Sequence, residues 1–113
     1  MKTCPADHAN RTTYIESFES AVADRPKYRK ATWVYEYLRG GDVFISWEAV
    51  PGMLDVDFRT YQGSWICRLY GEHFRTCDTA SEALKSMEGS ISDAIVDCSF
   101  IVQRVLDGWR AGR

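Results

Sequence analysis

The chain has 113 residues, 45% of them hydrophobic and 27% charged, with a net charge of -2 and a pI of about 5.6. That size and balance suit one globular domain over 1–113 and exclude extended disorder. The acidic charge argues against a domain that grips nucleic-acid phosphates over its whole surface.

Residues 1–11 read as a loose arm, with no apolar core of a signal sequence. Thr12 or Thr13 can cap a helix over 12–24, because Tyr14, Ile15, Phe18, Ala21 and Val22 form one apolar stripe. Pro26 ends it, and Arg25 to Lys30 is a basic linker. Residues 31–77 read as five strands punctuated by Gly40-Gly41, Pro51-Gly52, Gln62-Gly63 and Gly71-Glu72. Each pair suits a two-residue hairpin loop, although Pro51-Gly52 prefers a looser type II turn.

Two-residue loops dictate register. They pair Leu38 with Val43, Val34 with Trp47, Ala49 with Leu54, Trp47 with Val56, Phe58 with Cys67, Leu69 with Phe74 and Cys67 with Thr76. All four turns then send apolar residues to one face, and that agreement predicts an α+β fold built on a five-stranded antiparallel β-meander. Thr79-Ala-Ser-Glu82 has the form of a capping box. It opens a helical segment over 79–110, whose apolar residues Ala80, Leu84, Met87, Ile91, Ala94, Cys98, Ile101 and Val105 recur at spacings of four and three. Unbroken, that helix spans roughly 46 Å, against about 20 Å for five strands. It must therefore break, with Gly89-Ser90 the natural place, or project beyond the sheet with an apolar seam that favours a homodimer.

The same register collects three rows on the other sheet face. They are Tyr37, Phe44, Arg59, Ile66, Cys77; then Tyr35, Ser46, Asp57, Arg68, Arg75; then Trp33, Glu48, Asp55, Tyr70, His73. Aromatics and arginines are enriched at interface centres. Arg68, Tyr70, Arg75, Arg59, Asp57, Tyr37 and Phe44 are therefore the candidate partner-binding residues, with Arg68, Tyr70 and Arg75 expected side by side at the centre. The N-terminal helix is expected to be able to cover Trp33, Tyr35, Tyr37 and Phe44. Asp57 beside Arg68 also suits a plain cross-strand ion pair, and Glu48 facing Asp55 is a like-charge pair that can accept a basic group.

The expected function is a non-catalytic protein-binding module, a small stand-alone inhibitor or adaptor. Immunity and phage anti-defence proteins share that physical description, by analogy only. Two alternatives follow from the same face: single-stranded nucleic-acid binding by ring stacking, and a small enzyme using Asp55, Tyr70 and His73 as an acid–base set.

No Gly-rich phosphate loop precedes a helix, and no cofactor is expected. Cys4, His8, His73 and Cys77 have zinc-ligand residue types. On one strand, however, His73 and Cys77 stand about 13 Å apart, too far to share zinc, so no metal is expected. No stretch reaches the roughly 18 apolar residues of a membrane span. The expectation is therefore a cytoplasmic protein without a membrane partner, whose cysteines are reduced. Cys67 and Cys98 read as small core hydrophobes.

Overall fold

The structure, a computed structural model, describes residues 5–111, with side chains from 9 to 109. Helix α1 covers Pro5–Ala23 and α2 Pro26–Arg29; strands β1 to β5 cover Val34–Tyr37, Val43–Val50, Leu54–Tyr61, Ser64–Leu69 and Glu72–Cys77; helix α3 covers Ala80–Ala111. The five strands form one antiparallel sheet in chain order. The expected α+β meander is the observed fold.

Helix α1 starts earlier than Thr12. Pro5 has its ring torsion already suited to a first helical turn, so residues 5–11 are helical rather than a loose arm; residues 1–4 lie outside the described residues. Arg11, placed in that arm by sequence, donates from Nη2 to the Leu38 carbonyl at 2.6 Å. The basic linker is also structured: Pro26 opens a single helical turn. That turn buries Tyr28, whose hydroxyl donates to the Leu84 carbonyl at 2.6 Å.

The predicted register holds across the three central strands and fails at both edges. Trp47 faces Val56, Ile45 faces Phe58, and Asp57 faces Arg68. Only the end of the β2–β3 pair departs, because a bulge between Glu48 and Val50 puts Val50, not Ala49, opposite Leu54. At the β1 edge, Arg39–Gly41 forms a short 3-10 turn in place of a two-residue loop. Tyr37 therefore faces Val43 and Val34 faces Ser46. That is a slip of one residue, and it turns every β1 side chain to the opposite face. Burial explains the outcome: Trp33 and Tyr35 now meet Phe18 of α1, with ring centroids at 4.9 Å and 6.4 Å.

At the β5 edge the turn is Tyr70-Gly71, not Gly71-Glu72. Both residues have positive φ, 58° and 78°, as a type I′ turn requires. A bulge between Cys67 and Arg68 follows, so His73 faces Arg68 while Arg75 faces Cys67 and Cys77 faces Trp65.

Both long helices lie on one face of the sheet. Phe18, Ala21, Tyr28, Val43, Ile45, Leu54, Val56, Phe58, Trp65, Cys67, Leu84, Met87 and Cys98 form the core between them. Thr79 caps α3 by accepting the Glu82 amide at 3.1 Å, as the capping-box pattern predicts. The helix runs unbroken through Gly89, so the projecting alternative is the one realised, at roughly 48 Å for its length. Among the described residues no helix is long and apolar enough to cross a membrane.

Candidate functional site

With α1 and α3 on the same side, none of the described elements covers the other sheet face. The expected covering of Phe44 by the N-terminal helix does not occur, because Phe18 draws that helix to the Trp65 side, where the two rings stack at 6.0 Å. The corrected register gives the open face new rows. One reads Glu36, Phe44, Arg59, Ile66, Thr76, and the next Val34, Ser46, Asp57, Arg68, His73; Glu48 and Asp55 follow.

Four of the seven candidate residues are thus brought together: Phe44, Arg59, Asp57 and Arg68. The other three lie elsewhere. Tyr37 points to the helix side beneath the Arg11 guanidinium, 5.4 Å from its ring centroid. Tyr70 sits in the turn, and its hydroxyl approaches Cys98 Sγ on α3 at 3.8 Å. Arg75 faces Cys67 across the strands and stands over the Phe74 ring at 5.8 Å. The side-by-side trio of Arg68, Tyr70 and Arg75 is therefore not formed. A one-residue shift in where the last turn begins, together with the bulge between Cys67 and Arg68, removes it.

At the centre of the open face lies a depression of about 320 Å³, lined in part by Val34, Phe44, Ser46, Glu48, Asp55 and Asp57. Its floor is Asp57, 5% exposed. Arg68 Nε lies 3.7 Å from Asp57 Oδ1, beyond hydrogen-bond reach. That guanidinium is engaged instead by the Gly71 carbonyl, to which Nε and Nη2 donate at 3.2 Å and 2.5 Å. Asp57 Oδ1 and Arg59 Nε are both buried without a hydrogen-bond partner. Burial pushes the Asp57 carboxyl above its ordinary range; Arg68 pulls it back, and Asp55 adds to the rise. Glu48 anchors the neighbouring turn by accepting the Gly52 amide at 2.5 Å. The depression is thus an acidic hollow with an apolar wall, suited to one cationic head on an alkyl stem.

The acid–base set Asp55, Tyr70 and His73 is not assembled by hydrogen bonds. His73 Nε2 pairs with Thr76 Oγ1 at 3.0 Å, and the Tyr70 hydroxyl is turned to α3. Among the described residues no three metal-ligating side chains converge; Cys4 and the side chain of His8 lie outside them. Cys67 is buried as expected, and burial pushes its thiol up to about 12. Cys77, expected on the open face, instead faces α3 and meets Ser86 Oγ at 3.6 Å.

A second feature lay outside the sequence reading. Pro26, Tyr28, Trp47, Ile91 and Ile95 line a largely apolar cleft of about 360 Å³ between α2, β2 and α3, with Lys27, Lys30 and Glu88 also among its walls. Arg25 holds Glu88 at 2.9 Å. Tyr28 was the only signal for it, an aromatic between basic residues just after a helix-ending proline. Comparison of the chain with protein-family models, with curated proteins and with solved structures finds no match.

Proposed function

We propose that the chain is a protein-binding module, an inhibitor or adaptor that docks its open sheet face on a partner and seats a lysine or arginine of that partner in the depression at Asp57. The observation that carries this reading is the Asp57 carboxylate itself. It is buried at the floor of a hollow on a face that no described element covers, with an oxygen that lacks a hydrogen bond. A buried polar group in that state is destabilising unless something external completes it. Arg59, Phe44 and Arg68 flank it and supply the aromatic and guanidinium surface typical of interface centres.

Nucleic acid fits less well. Stacking needs several rings on the binding face, and Trp33, Tyr35 and Tyr37 belong to the helix side. Glu36, Glu48, Asp55 and Asp57 outnumber Arg59 and Arg68 on the open face. The test is capture of a partner from native extract, followed by calorimetry with the purified pair. Asp57→Asn and Arg68→Ala should each weaken binding about tenfold or more, while Lys85→Ala, on the exposed side of α3, binds like wild type. Wild-type affinity in both face variants refutes the reading. A salt-sensitive complex with single-stranded oligonucleotide, lost in Arg59→Ala, would replace it with the nucleic-acid alternative.

A further inference from the structure

The stripe that packs α3 on the sheet does not stop where the sheet stops. Ile91, Ala94 and Cys98 are 4%, 5% and 2% exposed, whereas Ile101 and Val105 are 51% and 65% exposed. At about 100° per residue, Ile101 and Val105 point within about 20° of the direction of Ala94. Val102, Leu106 and Trp109 widen the same face and are also exposed. The projecting end of α3 therefore carries an apolar face in line with the core and beyond any described covering element. Such a face on a globular protein calls for an occupant.

The cleft beside α2 identifies that occupant. Ile95, Val102 and Trp109 recur every seven residues and so form one file along the helix. Ile95, at the start of the file, lines the cleft together with Ile91 and Trp47; Trp109, at its end, is 65% exposed. The file is symmetric about Val102. If two copies of α3 pair antiparallel with Val102 facing Val102, each Trp109 arrives opposite the Ile95 of the other copy, about 10 Å along the helix from the axis. Ile101 and Val105 flank that file, within about 5 Å of the axis along the helix. This is the self-complementary contact that two-fold symmetry demands.

We propose that this protein is a two-fold homodimer in which the projecting ends of α3 pair antiparallel and each Trp109 enters the partner's apolar cleft at Ile91 and Ile95. The area is adequate. The exposed part of an indole contributes on the order of 150 Å² per copy. With Ile101, Val102, Val105 and Leu106 from both copies, the interface approaches roughly 1,000 Å², about where specific interfaces begin. The cleft is open and largely apolar, and Lys27, Glu88 and Lys30 form a polar margin to it, the usual arrangement of apolar centre and polar rim.

This inference is independent of the sheet-face reading, since it concerns the pure protein alone. Sedimentation velocity of wild type over about 1–100 micromolar should show a monomer–dimer equilibrium of roughly micromolar strength. Val102→Glu places two like charges on the axis and should abolish the dimer; Trp109→Ala should weaken it about tenfold or more. Gln103→Glu, on the opposite side of the helix, should leave it unchanged. All three sites are exposed, so circular-dichroism melts should stay near wild type and show that folding is retained. A wild type that is monomeric at 100 micromolar overturns the proposal, and flotation of that monomer with phosphatidylglycerol vesicles would name lipid as the occupant instead. A dimer indifferent to Val102→Glu overturns it too. A dimer lost in Val102→Glu but unaffected by Trp109→Ala overturns the seating of Trp109 in the cleft.

Discussion

Removing the ring of Phe18 should cost the domain a large part of its stability. Phe18 is fully buried, and its ring meets those of Trp33, Tyr35, Phe58 and Trp65 at 4.9, 6.4, 5.6 and 6.0 Å. It ties α1 to the first, third and fourth strands together. In Phe18→Ala the lost transfer of a phenyl group is about 2–3 kcal/mol. A residual cavity of roughly 80 Å³ at about 24 cal/mol per Å³ adds about 2 kcal/mol. Collapse of neighbouring rings recovers part of this, so the expected loss is about 3–5 kcal/mol. Domains of this length have roughly 6–17 kcal/mol in all. Urea titration followed by tryptophan fluorescence measures the change, with Phe100→Ala as control because Phe100 is exposed on α3; its loss should stay below about 0.5 kcal/mol. A Phe18→Ala loss below about 1.5 kcal/mol would mean that α1 is not docked on the sheet as described, and the open face would lose its basis.

Three further outcomes are expected. Gly89 lies mid-helix with open space where a Cβ would be, so Gly89→Ala should stabilise by about 1 kcal/mol, read as a higher thermal midpoint. Asp57→Asn should be more stable than wild type at pH 7 by roughly 1 kcal/mol. The folded-state pKa of Asp57 is raised, first by burial, so its favourable contribution is full below about pH 3.8 and is lost as pH rises through the raised value; the gap between the two proteins should close toward pH 4. Cys67, with its thiol near 12, should be alkylated by iodoacetamide at pH 8 at least about 100-fold more slowly in the native protein than in urea; comparable rates would show that the core opens locally.

The central sheet was legible in the sequence because alternation and turn chemistry agree there. Gln62-Gly63 supplies two positive φ values, 49° and 82°, and the pairs on either side of that turn are the predicted ones. The edges were not legible for a common reason. Gly40-Gly41 and Tyr70-Gly71-Glu72 each admit more than one loop length, and at an edge strand only one neighbour enforces the choice. At β1 the choice fell to Phe18, a residue distant in sequence, which gathers Trp33 and Tyr35 beneath α1. At β5 it fell to Tyr70 tolerating a left-handed backbone, uncommon for a bulky residue. Those two edges carried Tyr37 and Arg75, and so the candidate site lost them. It kept Asp57, Arg59, Arg68 and Phe44 because they stand on β2, β3 and β4. The cleft at Tyr28 depends on three elements meeting, which no local pattern announces.

The contact of α2 and its preceding residue Arg25 with α3 also sets a schedule for synthesis. The strands neighbour each other in chain order, so hairpins can close as they leave the ribosome. Tyr28, however, waits for the carbonyl of Leu84, 56 residues later, and Arg25 waits 63 residues for Glu88. At about 5–20 residues per second, Tyr28 and Arg25 spend several seconds without these neighbours. A chain stalled before α3 emerges would leave the Tyr28 hydroxyl without its acceptor, so shortening the protein from its C-terminal side should change its fate in the cell well before it changes the sheet.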